Sequence, residues 1–192
     1  MSGTLKLDSA HAQPYYWLGY IYARRPASAE NTRKATDYTR QALNLQPDYA
    51  EANVQLAQQL LRQGKAAEAL TLAKRAATLR KHYPLALFVL ADTYAALGKD
   101  IESSASRTIF QRESDLASRE KACLKVYTAQ PDNLENVLEL TSIEMKRDRY
   151  QEALMFLQDA ASRNPGDARV QSALDKARQG AASTPPGESF LE

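Results

Sequence analysis

The chain has a single cysteine, Cys123, so no disulfide can form within it. Its neighbours Ala122 and Val126 give it the setting of a small, partly buried apolar residue rather than a nucleophile. Only two histidines occur, His11 and His82, both in turn segments and about two helical hairpins apart. With helices packing roughly 8 to 10 Å apart, that separation keeps them from sharing a metal. No apolar run approaches the roughly 18 residues needed to span a bilayer, and no charged-then-apolar leader precedes the first helix. Charge of one sign is lacking too: 25 Lys and Arg against 23 Asp and Glu leave a net +2, mixed along the chain. That balance argues neither for nucleic acid nor for an anionic membrane surface. Nothing alternates with period two, so no strand is expected. The seven glycines form no phosphate-cradling cluster. Carboxylate pairs such as Asp148 and Glu152, or Glu135 and Glu139, have the spacing common on solvated helix faces. Metal, cofactor and catalytic chemistry therefore have no candidate residues, and the expectation is that the chain is not an enzyme.

What is present is helical periodicity. With 192 residues, 44% apolar and 25% charged, the chain is long enough for a sizeable core and reads as globular and soluble, its compartment undefined. Residues 50–83 set the pattern. Ala50, Val54, Leu56, Ala57, Leu60 and Leu61 recur at near-helical spacing, and so do Ala69, Leu70, Leu72, Ala73, Ala76 and Leu79. Between them Gly64 follows the last periodic residue, where a glycine ends a helix in the left-handed conformation. The unit is a helical hairpin.

The hairpin recurs. Leu56, Ala57, Leu60, Ala69, Ala73 and Ala76 stand at positions 7, 8, 11, 20, 24 and 27 of the 34-residue tetratricopeptide pattern, which this chain resembles. Tyr15, Leu18, Gly19 and Tyr22 fit positions 4, 7, 8 and 11 in residues 12–47, followed by Ala35, Thr39, Ala42 and Pro47 at 20, 24, 27 and 32. There Ser28 is a candidate N-cap after a lengthened turn, and Thr39, in place of Phe, is expected to weaken the packing. Leu87, Leu90, Ala91 and Tyr94 repeat the first-helix pattern after Pro84. Val137, Leu140, Thr141, Ala153, Leu157, Ala160 and Pro165 repeat the whole of it, with Glu144 in place of the tyrosine. The resemblance implies an all-α, right-handed α-α superhelix of antiparallel hairpins in one domain over 1–180, with repeats at 12–47, 48–83, 84–131 and 132–165.

The ends depart from the pattern. Residues 4–13 align with the close of a second helix, Leu5 and Leu7 at positions 28 and 30, so the chain is expected to be a piece of a longer protein, Met1 to Gly3 being a possible cloning remnant. Residues 167–179 read as a capping helix and 181–192 as a disordered tail.

Family resemblance further implies a concave face lined by first helices. Carried onto this chain, the partner-binding residues are Tyr16, Tyr20, Arg24, Val54, Gln58, Leu61, Arg62, Phe88, Asp92 and Met145. An aromatic and aliphatic groove of this kind suits an extended or helical peptide. The function implied is a non-catalytic protein-protein interaction module or scaffold. The alternative is a regulatory or substrate-docking region from a larger enzyme such as a glycosyltransferase. The carboxylate clamp of chaperone-binding relatives is missing, because its positions hold Tyr16, Tyr20, Gln55, Leu85 and Val89 and supply no cation. No tight binding of acidic chaperone tails is therefore expected.

Residues 99–130 are about sixteen longer than the pattern allows. Neither Gly nor Pro interrupts them, and Ile101, Ala105, Ile109, Leu116, Cys123 and Tyr127 keep one stripe in phase, which predicts one extended helix around 101–129, roughly 43 Å long. A break at Glu113 to Asp115 is the rival. Ile109, Phe110 and Leu116 would lack an ordinary neighbour in the long helix, which predicts a homodimer through 105–123.

Overall fold

The computed structural model describes residues 12–183, which fold into helices and short turns with no strand among them. Most of the expected half-repeat at 4–13, and residues 184–192 of the expected tail, lie outside the described residues. The chain divides into two compact units, Met1–Glu113 and Ser114–Glu192.

Unit 1 begins with α1 (Ala12–Arg24) and α2 (Ala29–Leu45), joined by the lengthened turn. Ser28 caps α2, its hydroxyl accepting from the Asn31 backbone N–H at 3.0 Å, and this satisfies a donor that a helix start leaves open. Tyr15 and Tyr22 both stack on Tyr38, at 6.4 and 5.6 Å between centroids, so ring packing holds the two helices together.

Helices α3 (Ala50–Arg62) and α4 (Ala66–Leu79) form the second hairpin. Ala69, Ala73 and Ala76 are fully buried, and the absence of larger side chains there lets α4 lie close against α3. Gly64 turns the chain at φ +74°, and the Lys65 N–H reaches back to the Leu60 carbonyl at 2.9 Å. Leu60 and Val54 fill the space between the helices, each contributing about 1.5–3 kcal/mol by burial.

Next come α5 (Pro84–Ala96), opened by Pro84 in its first turn, and α6 (Asp100–Ala129), a single helix of 30 residues. The long-helix expectation holds and the break at 113–115 does not occur. Within unit 1, α6 packs on α5 as an ordinary second helix: Ser103 donates to the Ala91 carbonyl at 3.0 Å, Arg107 pairs with Asp92, and Phe110 meets Phe88.

Unit 2 contains the rest of α6, then α7 (Leu134–Lys146), α8 (Tyr150–Arg163) and α9 (Ala168–Ser183). Here Leu116 and Cys123 of α6 are buried with Leu140 and Ile143 of α7. The expected stripe is thus divided. Phe110 finds a partner in unit 1 and Leu116 finds one in unit 2, leaving Ile109 exposed.

The α7–α8 turn repeats the hydrogen bond of the α3–α4 turn, Arg149 N–H to the Glu144 carbonyl at 3.0 Å, but with Asp148 at φ +60° where the other turn has glycine. Helix α9 runs to Ser183, past the expected end of the cap at 179. Its Gly180 is pressed against the ring of Tyr150, so this glycine is a contact between helices, and residues 181–183 of the expected tail continue α9.

Candidate partner-binding face

One position assigned to the groove proves to be core. Val54 is 1% exposed, and Gln55 beside it is 7% exposed. The cause is the placement of α3, which touches α1, α2, α4 and α5 and leaves few of its own residues free. Val54 therefore packs within the protein and is withdrawn from the partner-binding set. Leu61 is half-buried against the same core, Gln58 is half-buried and Arg62 is exposed.

Thr39 likewise differs from expectation. It is fully buried and accepts from Gln55 Nε2 at 2.8 Å and Gln59 Nε2 at 3.2 Å, while its own hydroxyl donates to the Ala35 carbonyl at 2.8 Å. Gly19 lies directly over this hydroxyl. The position is the hub of a buried polar contact joining α1, α2 and α3, and not a packing defect.

The exposed part of unit 1 is rich in rings. Tyr16 lies 5.1 Å from Trp17, 6.3 Å from Tyr20 and 5.0 Å from Tyr49 between centroids. The Arg24 guanidinium covers the Tyr20 ring at 4.4 Å. Farther along, Arg80 covers Tyr83 at 4.8 Å and pairs with Glu51 at 2.6 Å. Burial, reinforced by the Glu51 carboxylate, pushes the Tyr16 phenol above its ordinary value and those of Tyr49 and Tyr83 up to about 12. Three tyrosines, far apart in sequence, therefore share one partly desolvated environment. All three are half-buried, presenting ring surface and a neutral hydroxyl.

Tyr49 and Tyr83 escape a reading confined to first-helix positions, since they are the residues just before α3 and α5. Their separation of 34 residues, 83 − 49, equals one repeat and was the available signal. Phe88, 38% exposed, and half-buried Asp92 stand on α5, where Phe110 and Arg107 respectively meet them.

Met145 is placed in unit 2, apart from the others. With Ser142 and Lys146 of α7, Tyr150 of α8, and Lys176 and Gln179 of α9, it lines an open cleft of about 540 Å3. No group of His, Cys, Asp or Glu suited to a metal occurs among the described residues, and none of their helices is long and apolar enough to cross a membrane.

Four features recur in register in the hairpins begun by α3, α5 and α7: a first helix closing on a left-handed residue, a short turn, a second helix with buried small residues, and a further short turn. The fold is of the tetratricopeptide type. No family profile matches the chain, and no curated protein matches it. Solved structures similar to it include MamA, at 12% identity and TM-score 0.48, covering 89% of this chain and 82% of that one. A thermophilic TPR protein from Thermus thermophilus is 21% identical at TM-score 0.47, covering 88% of this chain and 99% of that one. YrrB, described as a TPR protein with an unusual peptide-binding site, is 14% identical at TM-score 0.44, covering 93% of this chain and 89% of that one. Likeness at these values carries no inference about what this tetratricopeptide-type chain binds.

Proposed function

We propose that the chain is a non-catalytic interaction module whose unit 1 holds an extended segment of a partner protein against the face formed by Tyr16, Tyr20, Tyr49 and Tyr83. The observation that carries this reading is the gathering of tyrosines from α1 and from two inter-repeat turns into one half-exposed surface. Rings of this kind supply contact area at little entropic cost, and phenol hydroxyls, with Arg24 over the Tyr20 ring, supply donors that fix register. Phe88 and Leu61 extend the apolar part of the face. The homodimer expected through 105–123 is not retained. Phe110 meets Phe88 and Leu116 is buried with Leu140 and Ile143, which leaves Ile109 as the exposed member of the three residues that suggested it.

The test uses a random peptide library displayed against the full chain, followed by fluorescence anisotropy with a selected peptide. Tyr16→Ala and Tyr20→Ala are expected to weaken binding about tenfold or more each, with the melting temperature little changed. Unchanged affinity in a destabilised variant would sink the reading, because those rings would then serve packing alone.

A further inference from the structure

Helix α1 has no charged side chain between Pro14 and Ala23, and its apolar and aromatic groups point to every side. Two of its faces are accounted for. Tyr15, Gly19 and Tyr22 face α2, where the rings stack on Tyr38 and the glycine lies over Thr39. Tyr16 and Tyr20 belong to the aromatic face with Tyr49. The third face is made by Pro14, Trp17, Leu18 and Ile21, at the i, i+3, i+4, i+7 spacing that lines one stripe of a helix. None of these four is among the partner-binding residues. The described residues leave the stripe open: Pro14 is exposed, Trp17 and Ile21 are each 48% exposed, and Leu18 is 38% exposed. A helix that is apolar all round belongs in a buried setting, so the stripe calls for an occupant.

We propose that the occupant is the chain's own N-terminal segment, with Leu5 and Leu7 set against Trp17, Leu18 and Ile21. Residues 1–11 lie outside the described residues and join α1 at Ala12. They carry two leucines, Leu5 and Leu7, between the polar residues Thr4, Lys6 and Asp8. A tether from Ala12 back to Leu7 spans up to roughly 17 Å and one to Leu5 up to roughly 24 Å, while Leu18 and Ile21 lie only about 9 and 14 Å along α1 from the same residue. Both leucines therefore reach the stripe. A segment joined directly to α1 has an effective concentration on the order of millimolar there. A contact of modest apolar area then stays made, whereas a separate molecule must first offset the lost freedom of association. Trp17 also meets Tyr16 and Tyr20, at 5.1 and 5.5 Å between centroids, so the seated segment abuts the aromatic face along its rim. The inference does not depend on what that face binds.

Trp17 is the chain's one tryptophan, so tryptophan emission reports on this stripe alone. In the full chain, Leu5→Ser with Leu7→Ser should shift that emission to the red and speed its quenching by acrylamide, with the far-UV circular dichroism unchanged. Lys6→Ser with Asp8→Ser should alter neither. In the parent chain, nuclear Overhauser contacts should join the Leu5 or Leu7 methyls to the Trp17 indole or the Ile21 methyls, a measurement that does not depend on how any variant folds. Absence of those contacts, unchanged emission in the leucine variant, or equal shifts in the two double variants would overturn the proposal. Sedimentation over a range of protein concentrations separates the rival occupant. A monomer whose quenching is independent of concentration supports the chain's own segment. A dimer whose assembly, rather than Leu5 and Leu7, protects Trp17 would give the stripe to a second copy and overturn the assignment.

Discussion

A Cβ placed on Gly19 would lie 2.4 Å from the hydroxyl oxygen of Thr39. Two effects then compete in Gly19→Ala. Alanine is the better helix former by about 1 kcal/mol, but overpacking typically costs about 1–3 kcal/mol, and here the Ala35 carbonyl at 3.1 Å is backbone that gives little. The clash wins, so Gly19→Ala should lower stability by about 1–2 kcal/mol in urea denaturation. Adding Thr39→Ala removes the nearest atom. The double variant should lose less than the two single losses added together.

The turn after α3 isolates a backbone effect. Gly64 sits at φ +74° with nothing within 4 Å of a built Cβ, so a side chain there meets only conformational cost. Gly64→Ala should therefore cost about 1 kcal/mol. Gly64→Asp should cost less, because Asp148 occupies the same place in the α7–α8 turn at φ +60° and short polar side chains tolerate this conformation. Chemical denaturation of the two variants side by side checks the ranking. Equal costs would refute it.

Glu144, 3% exposed, is pushed up to about 7 by burial, against which the nearby Arg149 charge works only in part. Arg149 Nε approaches Glu144 Oε2 to 2.7 Å, yet the contact is not aligned as a hydrogen bond, and Arg149 is shared with Glu120. A carboxyl whose folded value lies above its unfolded value of roughly 4.3 contributes stability that is complete below that unfolded value. The contribution is lost as pH rises through about 7. Glu144→Gln has no such loss. Its stability relative to the parent chain should thus improve by about 1–3 kcal/mol between pH 5 and pH 8, and a flat difference across that window in paired thermal melts would exclude the ionisation.

Gly180 gives a steric prediction in unit 2. A Cβ there would stand 2.0 Å from the Tyr150 ring, an atom separation that no small adjustment relieves. Gly180→Ala should loosen α9 from α8 and speed hydrogen exchange along α9. Tyr150→Ala in the same chain should restore room for it, at the cost of the ring's own packing. Exchange rates unchanged by Gly180→Ala would contradict this account.

The repeat register was legible because its signals are steric and local. Ala69, Ala73 and Ala76 can be nothing larger where α4 meets α3, and Gly64 marks the turn. The length of α6 was legible for the same reason: an unbroken apolar stripe with no Gly or Pro admits one helix. What the stripe touches was not legible, since Phe110 and Leu116 find their partners on different helices. Position within a repeat puts Val54 on the groove, but it does not reveal how many neighbours α3 has, and those neighbours bury it. The polar contact at Thr39 is not legible, because the pattern treats position 24 as apolar packing and does not show that Gln55 and Gln59, one turn apart, reach across to it.

Cys123 is the chain's one thiol, and it is 5% exposed, in the core that α6 and α7 form within unit 2. Burial also pushes its thiol up, so in the closed protein it is a poor nucleophile at neutral pH. An alkylating reagent must wait for that core to part, and each modified molecule records one such opening. The chain therefore carries its own stopwatch. Without removing or adding a cysteine, the alkylation half-time reads how often unit 2 opens, a ligand that grips unit 2 lengthens it, and events confined to unit 1 leave it running at the same pace.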